Sequence, residues 1–227
     1  GHSAMGSNTT GCTNIGIGQN ALSSNTTASN NTAVGTAALG ANTTGASNTA
    51  VGKNAGAANT TTSCNTYVGQ DAGAANTNGD NVAIGTAALC ASGDGYQNTA
   101  VGHRAMCSNT TGFKNVAVGN QALKSVTTGD QNTAIGSCAG DALTTGNSNI
   151  YVGYLTDSSS GSVDAEIAIG LGIQGSGGSS VTIGSGAGII YNNYTQNATW
   201  TQSSDRRLKS NIQNDTLGLS FINRLNP

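Results

Sequence analysis

Ser204 and Lys209 are the residues whose types and spacing best suit covalent chemistry, in the stretch S-S-D-R-R-L-K-S-N-I. A serine hydroxyl becomes a nucleophile when an adjacent base takes its proton. A lysine amine can be that base only where burial or nearby cations lower its pKa. Arg206 and Arg207 would supply such cations. On residue types alone, the simpler interpretation is a helix cap at Ser204 or Asp205, followed by solvated Arg and Lys side chains.

A short helix is predicted after these residues. Leu217, Phe221 and Leu225 recur at intervals of four and fall on one face of a helix. Asp215 or Thr216 can cap its first turn, and the Asn-Pro pair at the end of the sequence stops it. Charge is also concentrated here. The chain has eight basic and ten acidic residues, and six of these charged residues lie among the last 24.

The composition of the whole chain argues against a compact domain. Only 8% of its 227 residues are charged and 4% are aromatic, whereas glycine occurs 34 times. In a typical globular domain about a quarter of all residues are charged. Disorder is the alternative for a polar, Gly-rich chain, but disordered segments lack regularly spaced Val and Ile and carry more charge and proline. The composition therefore favours a thin, repetitive cross-section.

A repeat of about 17 residues is the strongest signal in the sequence. Its most regular element is a glycine that ends each A-V-G or A-I-G step, named here the marker glycine. Nine of the eleven intervals between markers are 17 residues, one is 16 and the last is 14. Val or Ile precedes each of the eleven markers after Gly1, Asn stands four residues before the marker in nine consecutive repeats, and Ala stands three residues after it in nine. The marker glycines are Gly1, Gly18, Gly35, Gly52, Gly69, Gly85, Gly102, Gly119, Gly136, Gly153, Gly170 and Gly184.

Each N-T-A-V-G step is predicted to be a short strand. The residues one and three before the marker are β-branched and share one face, because side chains alternate along a strand. The residue between them is Ala or Tyr in most repeats, so the opposite face is apolar too. A strand that is apolar on both faces needs one neighbour inside its own coil and another outside it. The marker glycine then permits a sharp turn, and T-T-G segments supply further turns.

Stacked coils would pair these strands about 4.8 Å apart, which gives a rod roughly 50 Å long. The nine asparagines would form a ladder along one edge, each amide bonding to the next coil. One coil buries too little apolar surface to be stable alone, so stacking must supply the stability. The sequence thus predicts an all-β fold, a repetitive β-roll or β-solenoid with coils of about 17 residues. Threefold association about a common axis would cover the second apolar face, as a parallel homotrimer.

The recurring N-T-A-V-G-x-x-A motif resembles the head repeats of YadA-type trimeric autotransporter adhesins. It is even more similar to related repeats in phage and virus tail-fibre proteins. The resemblance covers about residues 1–190 and implies a trimer of left-handed β-rolls. The final 14-residue interval is closest to the adhesin spacing, and the 17-residue coils are longer.

The S-D-R-R-L-K-x-N-I motif resembles the opening of the intramolecular chaperone domain of endosialidase-type tailspikes and fibres. In that family the domain assembles the trimer and then releases itself by a single autoproteolytic cut. The resemblance implies that Ser204 is the nucleophile, that Lys209 is its general base, and that the bond between Ser204 and Asp205 is cleaved. The short helix would then begin this domain.

The chain is accordingly predicted to divide into three parts. Residues 1–190 form the solenoid shaft, 191–203 form a neck that contains Tyr191, Tyr194 and Trp200, and 204–227 begin the chaperone domain. The predicted function is a structural fibre of a virion, or of a cell surface, that attaches to a host glycan or protein receptor. Virion tail fibre is the predicted location, with the extracellular surface as the alternative.

Three other functions fit parts of the sequence. A trimeric autotransporter adhesin head would share the repeat. A glycan-degrading tailspike needs two carboxylates across a cleft, and Asp164 and Glu166 are the only close acidic pair in the repeats, which a short surface hairpin would also explain. An ice-binding solenoid needs regular Thr ranks on an exposed face, whereas Thr alternates with Val and Ile here.

Several classes of site and partner are not expected. A net charge of -2 gives no basic footprint for nucleic acid, and no apolar run is long enough for membrane insertion. No cofactor or metal motif is present, and the solenoid itself is not expected to be an enzyme. The five cysteines lack C-x-x-C spacing, so neither a zinc site nor a disulfide framework is predicted, and Cys90 and Cys107 are interpreted as small buried fillers.

Overall fold

The computed structural model describes residues 1–195 and the strand at residues 201–203, and every regular element in these residues is a β-strand. Thirteen strands form one sheet in which neighbours follow chain order. No helix in the described part of the chain is long and apolar enough to cross a membrane. The strands are β1 (Ile15–Ile17), β2 (Thr32–Val34), β3 (Thr49–Val51), β4 (Thr66–Val68), β5 (Val82–Ile84), β6 (Thr99–Val101), β7 (Val116–Val118), β8 (Thr133–Ile135), β9 (Ile150–Val152), β10 (Glu166–Leu171), β11 (Ser180–Ser185), β12 (Gly188–Asn193) and β13 (Thr201–Ser203).

The first eleven strands pair in parallel, each one coil above the previous strand, which confirms the predicted β-solenoid of about 17-residue coils. The register places each residue opposite its counterpart in the next repeat, for example Ala100 opposite Ala117. Residues that occupy the same place in successive coils therefore form a column along the rod. After β11 the pairing becomes antiparallel, through β12 to β13.

The middle residue of each strand points into the coil. Ala33, Ala100 and Ala134 are fully buried there, as are the alanines three residues after the markers from Gly18 to Gly136. Leu or Met follows in most coils and fills the remaining space, as with Leu89 and Met106. The core is thus a narrow column of small side chains, which explains how a chain with so few large apolar residues can fold.

The marker glycines are required by both conformation and space. Gly102 has φ +139°, a region that L side chains rarely adopt, and a Cβ added there would collide with the carbonyl of Gly119 in the next coil. The segment after the marker is a series of turns in which even non-glycine residues take positive φ. Ala87 and Leu89 have φ values of 55° and 51°, and their counterparts in other coils repeat this geometry.

The asparagine ladder is confirmed, but it lies in the interior and not along an edge. The Oδ1 of Asn31 accepts from the backbone N–H of Asn48 at 2.9 Å, and its Nδ2 donates to the carbonyl of Gly45 at 2.9 Å. The same pattern repeats along the column up to Asn149, whose neighbours are equally buried. The interior position follows from the hydrogen bonds, because each amide must reach backbone groups of the coil above.

A second asparagine column was not predicted. It consists of the asparagines of the N-T-T turns, and Asn42 Nδ2 donates to Asn25 Oδ1 at 2.9 Å. Asn25, Asn42, Asn59 and Asn109 are fully buried, although each begins an N-x-T sequon. These asparagines close the turn from inside, as Asn109 Nδ2 does by donating to the carbonyl of Gly112 at 3.0 Å.

The coil interior contains two tyrosines at the strand position where other coils have alanine. Beside each tyrosine, glycine stands at the position where other coils have leucine or methionine. Tyr67 is fully buried in the middle position of β4. A Cβ added at Gly56 would lie 2.5 Å from its ring, and one added at Gly73 would also collide with it. Tyr151 in β9 repeats the exchange with Gly140, where the added Cβ would lie 2.7 Å from the ring. The core therefore keeps its volume by exchanging large and small residues between adjacent columns.

All five cysteines are free. Cys107 is buried and Cys90 is half-buried in the coil below it, so the interpretation as fillers holds for Cys107 and in part for Cys90. Burial raises the pKa of the Cys90 thiol, with Cys107 adding to the effect.

Candidate functional site: the strand face

The outward side of the solenoid carries a continuous ladder of β-branched residues. The first and third residues of β1 to β9, with Ile167 and Ile169 of β10, point away from the coil interior and are half-buried or exposed. We name this surface the strand face. It holds Ile15, Ile17, Thr32, Val34, Thr49, Val51, Thr66, Val68, Val82, Ile84, Thr99, Val101, Val116, Val118, Thr133, Ile135, Ile150, Val152, Ile167 and Ile169.

The strand face is uncharged and larger than a scatter of single apolar residues. Ile84 and Ile135 are 39% and 45% exposed, values unusual for aliphatic residues in strands at the centre of a sheet. Ten strands about 4.8 Å apart and about 10 Å wide give roughly 450 Å². Contiguous apolar patches of a few hundred Å² mark interaction sites. The sequence predicted that both strand faces are apolar, and in the single chain only the inner one is covered.

The strand face widens at its C-terminal end. Tyr154 and Leu171 occupy one column beside it and are 54% and 57% exposed, and Leu155 is exposed next to them. Burial of such side chains stabilises an assembly by about 1.5–3 kcal/mol each when it is complete. This end of the rod therefore adds larger exposed side chains beside the valine, isoleucine and threonine residues of the strand face.

The predicted dyad lies outside the described residues. This holds for Ser204, Lys209 and the bond between Ser204 and Asp205, and equally for the helix expected around Leu217–Leu225. Nothing in the described residues brings another nucleophile and base together in their place. Within the same residues, no group of three or more His, Cys, Asp or Glu side chains could hold a metal ion.

Asp164 and Glu166 do not lie together on a surface hairpin, which the sequence offered as the alternative explanation of this acidic pair. Glu166 is fully buried and stands in the first asparagine column, where its N–H donates to Asn149 Oδ1 at 2.8 Å. Asp164 lies on the surface and accepts from the backbone N–H of Asn147 at 2.6 Å. The 17-residue spacing from Asn149 to Glu166 is the signal in the sequence that points to this role.

The Glu166 carboxylate ends the asparagine ladder. It accepts from Tyr151 Oη at 3.1 Å, from the Ser159 N–H at 3.0 Å and from the Gly177 N–H at 2.7 Å. Burial, and then the negative charge of Glu166, raise the pKa of Tyr151 far above its usual range, so the phenol stays protonated as a donor. Three segments are thus joined through one carboxylate, which is a structural role and not a catalytic one.

A second acidic contact lies close to this ladder end. Asp157 accepts from the backbone N–H groups of Ala142 at 3.0 Å and Ser158 at 2.8 Å. Burial raises the pKa of Asp157, and the nearby carboxyl of Asp141 adds to the effect, although the two N–H donors oppose it. Asp141 also faces Lys124 at 3.8 Å. The carboxylates here are engaged by backbone groups and a cation, so none stands free across a cleft from another.

The sequence interpretation also missed an aromatic pair. Tyr96 and Phe113 are counterparts in adjacent coils, and their rings stack in parallel with centroids 4.9 Å apart. Each ring stands two residues before a ladder asparagine, Tyr96 before Asn98 and Phe113 before Asn115. This shared position in the repeat is the sequence signal that predicts their stacking. They lie at the turn before the strands and outside the strand face.

Comparison of the chain with protein-family models, with curated proteins and with solved structures finds no match in any of the three. The fold and the surfaces described above are therefore the observations from which function is inferred.

Proposed function

We propose that this chain is the shaft of a structural fibre, a parallel homotrimer held together through the strand face. The fibre belongs to a virion, as a tail fibre, or to a cell surface, and serves attachment to a host glycan or protein receptor. The observation that carries this proposal is the uncharged, exposed aliphatic ladder that runs along ten coils. A second and a third copy, lying side by side with the first, would cover this face without any change of fold.

Two further properties support a passive fibre. The coil interior consists of alanine, asparagine and leucine columns that leave no room for a substrate. Asp164 accepts from a backbone N–H group and Glu166 is buried among three donors, so this acidic pair does not face a cleft as glycan cleavage would require. A glycan-degrading tailspike is for this reason the weaker candidate.

Lysines placed on the strand face test the assembly. In the Val118→Lys, Ile135→Lys double variant, two charges face outward from adjacent coils, where a partner would have to bury them. We expect the native chain to have three times its monomer mass of 22.3 kDa and the variant to dissociate to monomers. Size-exclusion chromatography with light scattering measures both masses.

Thr128→Lys, Thr145→Lys is the matched control, because it places two lysines in the same two coils at exposed positions outside the strand face. This variant should keep the native mass. A monomeric native chain, or a strand-face variant that remains trimeric, would contradict the proposed assembly.

We also propose that the C-terminal segment begins a chaperone domain that cuts itself once between Ser204 and Asp205. Ser204 Oγ attacks the Ser204 carbonyl carbon while Lys209 takes the hydroxyl proton. The bond from this carbon to the Asp205 nitrogen then breaks as Lys209 returns the proton to the leaving amine, and water opens the resulting four-membered lactone to give a carboxylate at Ser204. The support is the S-D-R-R-L-K-x-N-I motif. We expect a longer chain that includes the rest of this domain to be cleaved after Ser204 and its Ser204→Ala variant to stay intact. Identical intact masses of the two proteins would rule the dyad out.

An ice-binding surface is the second candidate, since the ranked threonines and valines lie on an outward, regularly spaced sheet. Oligomeric state separates the two functions, because a trimer covers the face that ice would need. Thermal hysteresis in a monomeric chain would favour ice binding, and its absence in a trimer would favour the fibre.

A further inference from the structure

The stacked pair Tyr96 and Phe113 lies beside a step in the rod. The coil before Tyr96 contains the only 16-residue interval between markers, and the missing residue falls between Asn76 and Asp80. In this coil the asparagine of the turn, Asn76, precedes the ladder asparagine, Asn81, by five positions. In other coils with both asparagines the distance is six positions. The turn is therefore recessed next to the aromatic pair.

One ring face of Tyr96 has no side chain opposite it. Its counterpart in the short coil is Gly79, whereas its other face lies against Phe113 at 4.9 Å. A Cβ added at Gly79 would meet Ser63 and Thr62 atoms at 3.1–3.9 Å before any atom of Tyr96. Tyr96 is 37% exposed. A flat aromatic surface consequently faces solvent across the step.

A row of polar residues runs parallel to the aromatic column. The row consists of exposed residues at the same position in three successive coils, namely Asp80, Gln97 and Lys114. Each directly follows the residue of the aromatic column in its own coil. Backbone hydrogen bonds keep the rows aligned, with the Lys114 N–H donating to the Tyr96 carbonyl at 3.1 Å. The Lys114 ammonium lies 5.6 Å from the Phe113 ring centroid, so it flanks the pair on the far side from the step.

The wall of the step is fixed by hydrogen bonds between the two coils. Asn78 Nδ2 donates to the carbonyl of Asp94 at 3.0 Å, and Thr77 Oγ1 donates to the carbonyl of Gly93 at 2.8 Å. These contacts tie the shortened turn to the coil that carries Tyr96, whose ring stays partly exposed. The aromatic surface and its polar row are therefore preformed in the free chain.

We propose that this step is a glycan-binding site in which one pyranose ring stacks on the open face of Tyr96. The C–H groups on one side of a pyranose are electropositive and match the negative face of an aromatic ring. Asp80 and Gln97 then bind the sugar hydroxyls, since a carboxylate accepts and an amide both donates and accepts. The inference rests on the proposed attachment function, for which it supplies a receptor class and a location outside the strand face.

Saturation-transfer difference NMR on the full chain tests the site. The probes are the methyl glycosides of glucose, galactose, mannose, N-acetylglucosamine and N-acetylgalactosamine. At least one should receive saturation from the protein, strongest at the C–H groups of one ring face. Tyr96→Ala should weaken binding about ten-fold, because it removes the stacking surface. Gly79→Tyr should do the same while leaving Tyr96 in place, because a third ring would cover the open face.

Tyr194→Ala is the control, since Tyr194 is also exposed, at 56%, but is not stacked on another ring of the described residues. It should leave binding unchanged. Absence of transfer to all five glycosides, or equal losses in the Tyr96 and Tyr194 variants, would overturn the site. Light scattering on the same samples separates the two proposals, because a trimer that binds no sugar contradicts the site alone, and a monomer that binds sugar contradicts the fibre alone.

Discussion

Replacement of Tyr67 by alanine is expected to destabilise the central coils by about 3–5 kcal/mol, the range for removal of a buried aromatic side chain. The ring fills space that Gly56 and Gly73 leave open on either side. Alanine is the usual residue at this position, so the substitution restores the repeat sequence yet creates a cavity. Hydrogen-exchange mass spectrometry should show reduced protection of β3, β4 and β5, where each coil depends on its neighbours.

The same exchange gives a compensated variant. Gly56→Leu and Gly73→Leu, combined with Tyr67→Ala, convert the three coils to the residues found at these columns elsewhere. Leucine tolerates the backbone there, because Leu39 and Leu89 have φ values of 48° and 51° at equivalent positions. The triple variant should recover most of the lost stability. Either leucine substitution alone should destabilise, since its Cβ collides with the Tyr67 ring, and a stable single variant would contradict the proposed packing.

The solenoid was predictable because the same residues that define a strand and a turn recur in every coil. Val or Ile before each marker, alternation about a buried alanine, and the marker glycine together define one strand and one turn, and register then follows from the 17-residue period. The internal direction of the asparagines was not predictable from their type alone. An exposed edge and a buried column both satisfy amides, and only the path of the turns decides between them.

The candidate surfaces were predictable to different degrees. The strand face follows from apolar residues at both faces of a strand, of which a narrow coil can cover only one. The place of Glu166 in the asparagine ladder is indicated by its 17-residue distance from Asn149, whereas its nearness to Asp164 in sequence suggests an acidic pair that the fold does not form. The step at Tyr96 depends on which turn is one residue shorter, and this is visible in the sequence. The parallel stacking of the two rings depends on how adjacent coils are placed, which the sequence does not give.

Replacement of Glu166 by alanine is expected to cost about 3 kcal/mol or more at the C-terminal end of the solenoid. The substitution leaves one buried and two half-buried donors without an acceptor, and each unsatisfied buried group costs about 1–3 kcal/mol. These donors are the Tyr151 hydroxyl and the N–H groups of Ser159 and Gly177. Hydrogen exchange should increase in β9, β10 and β11, while the coils from β1 to β7 keep their protection.

Asp164→Ala is the matched control, two residues earlier in the chain. Its carboxylate caps Asn147 at the surface, so only a small loss of about 1 kcal/mol is expected. Equal losses from the two variants would mean that Glu166 acts by its charge near the surface and not as the buried end of the ladder.

The two core tyrosines provide the sharpest test of the Glu166 contacts, because they occupy the same place in different coils. Tyr151 donates to Glu166, whereas the Tyr67 hydroxyl has no hydrogen-bond partner among the described residues. Tyr151→Phe should therefore lower the melting temperature, since Glu166 loses a donor. Tyr67→Phe should raise it, since a buried unsatisfied hydroxyl is removed at no loss of volume. Shifts of the same sign would show that the hydroxyls, and with them the carboxylate, do not control the stability of their coils.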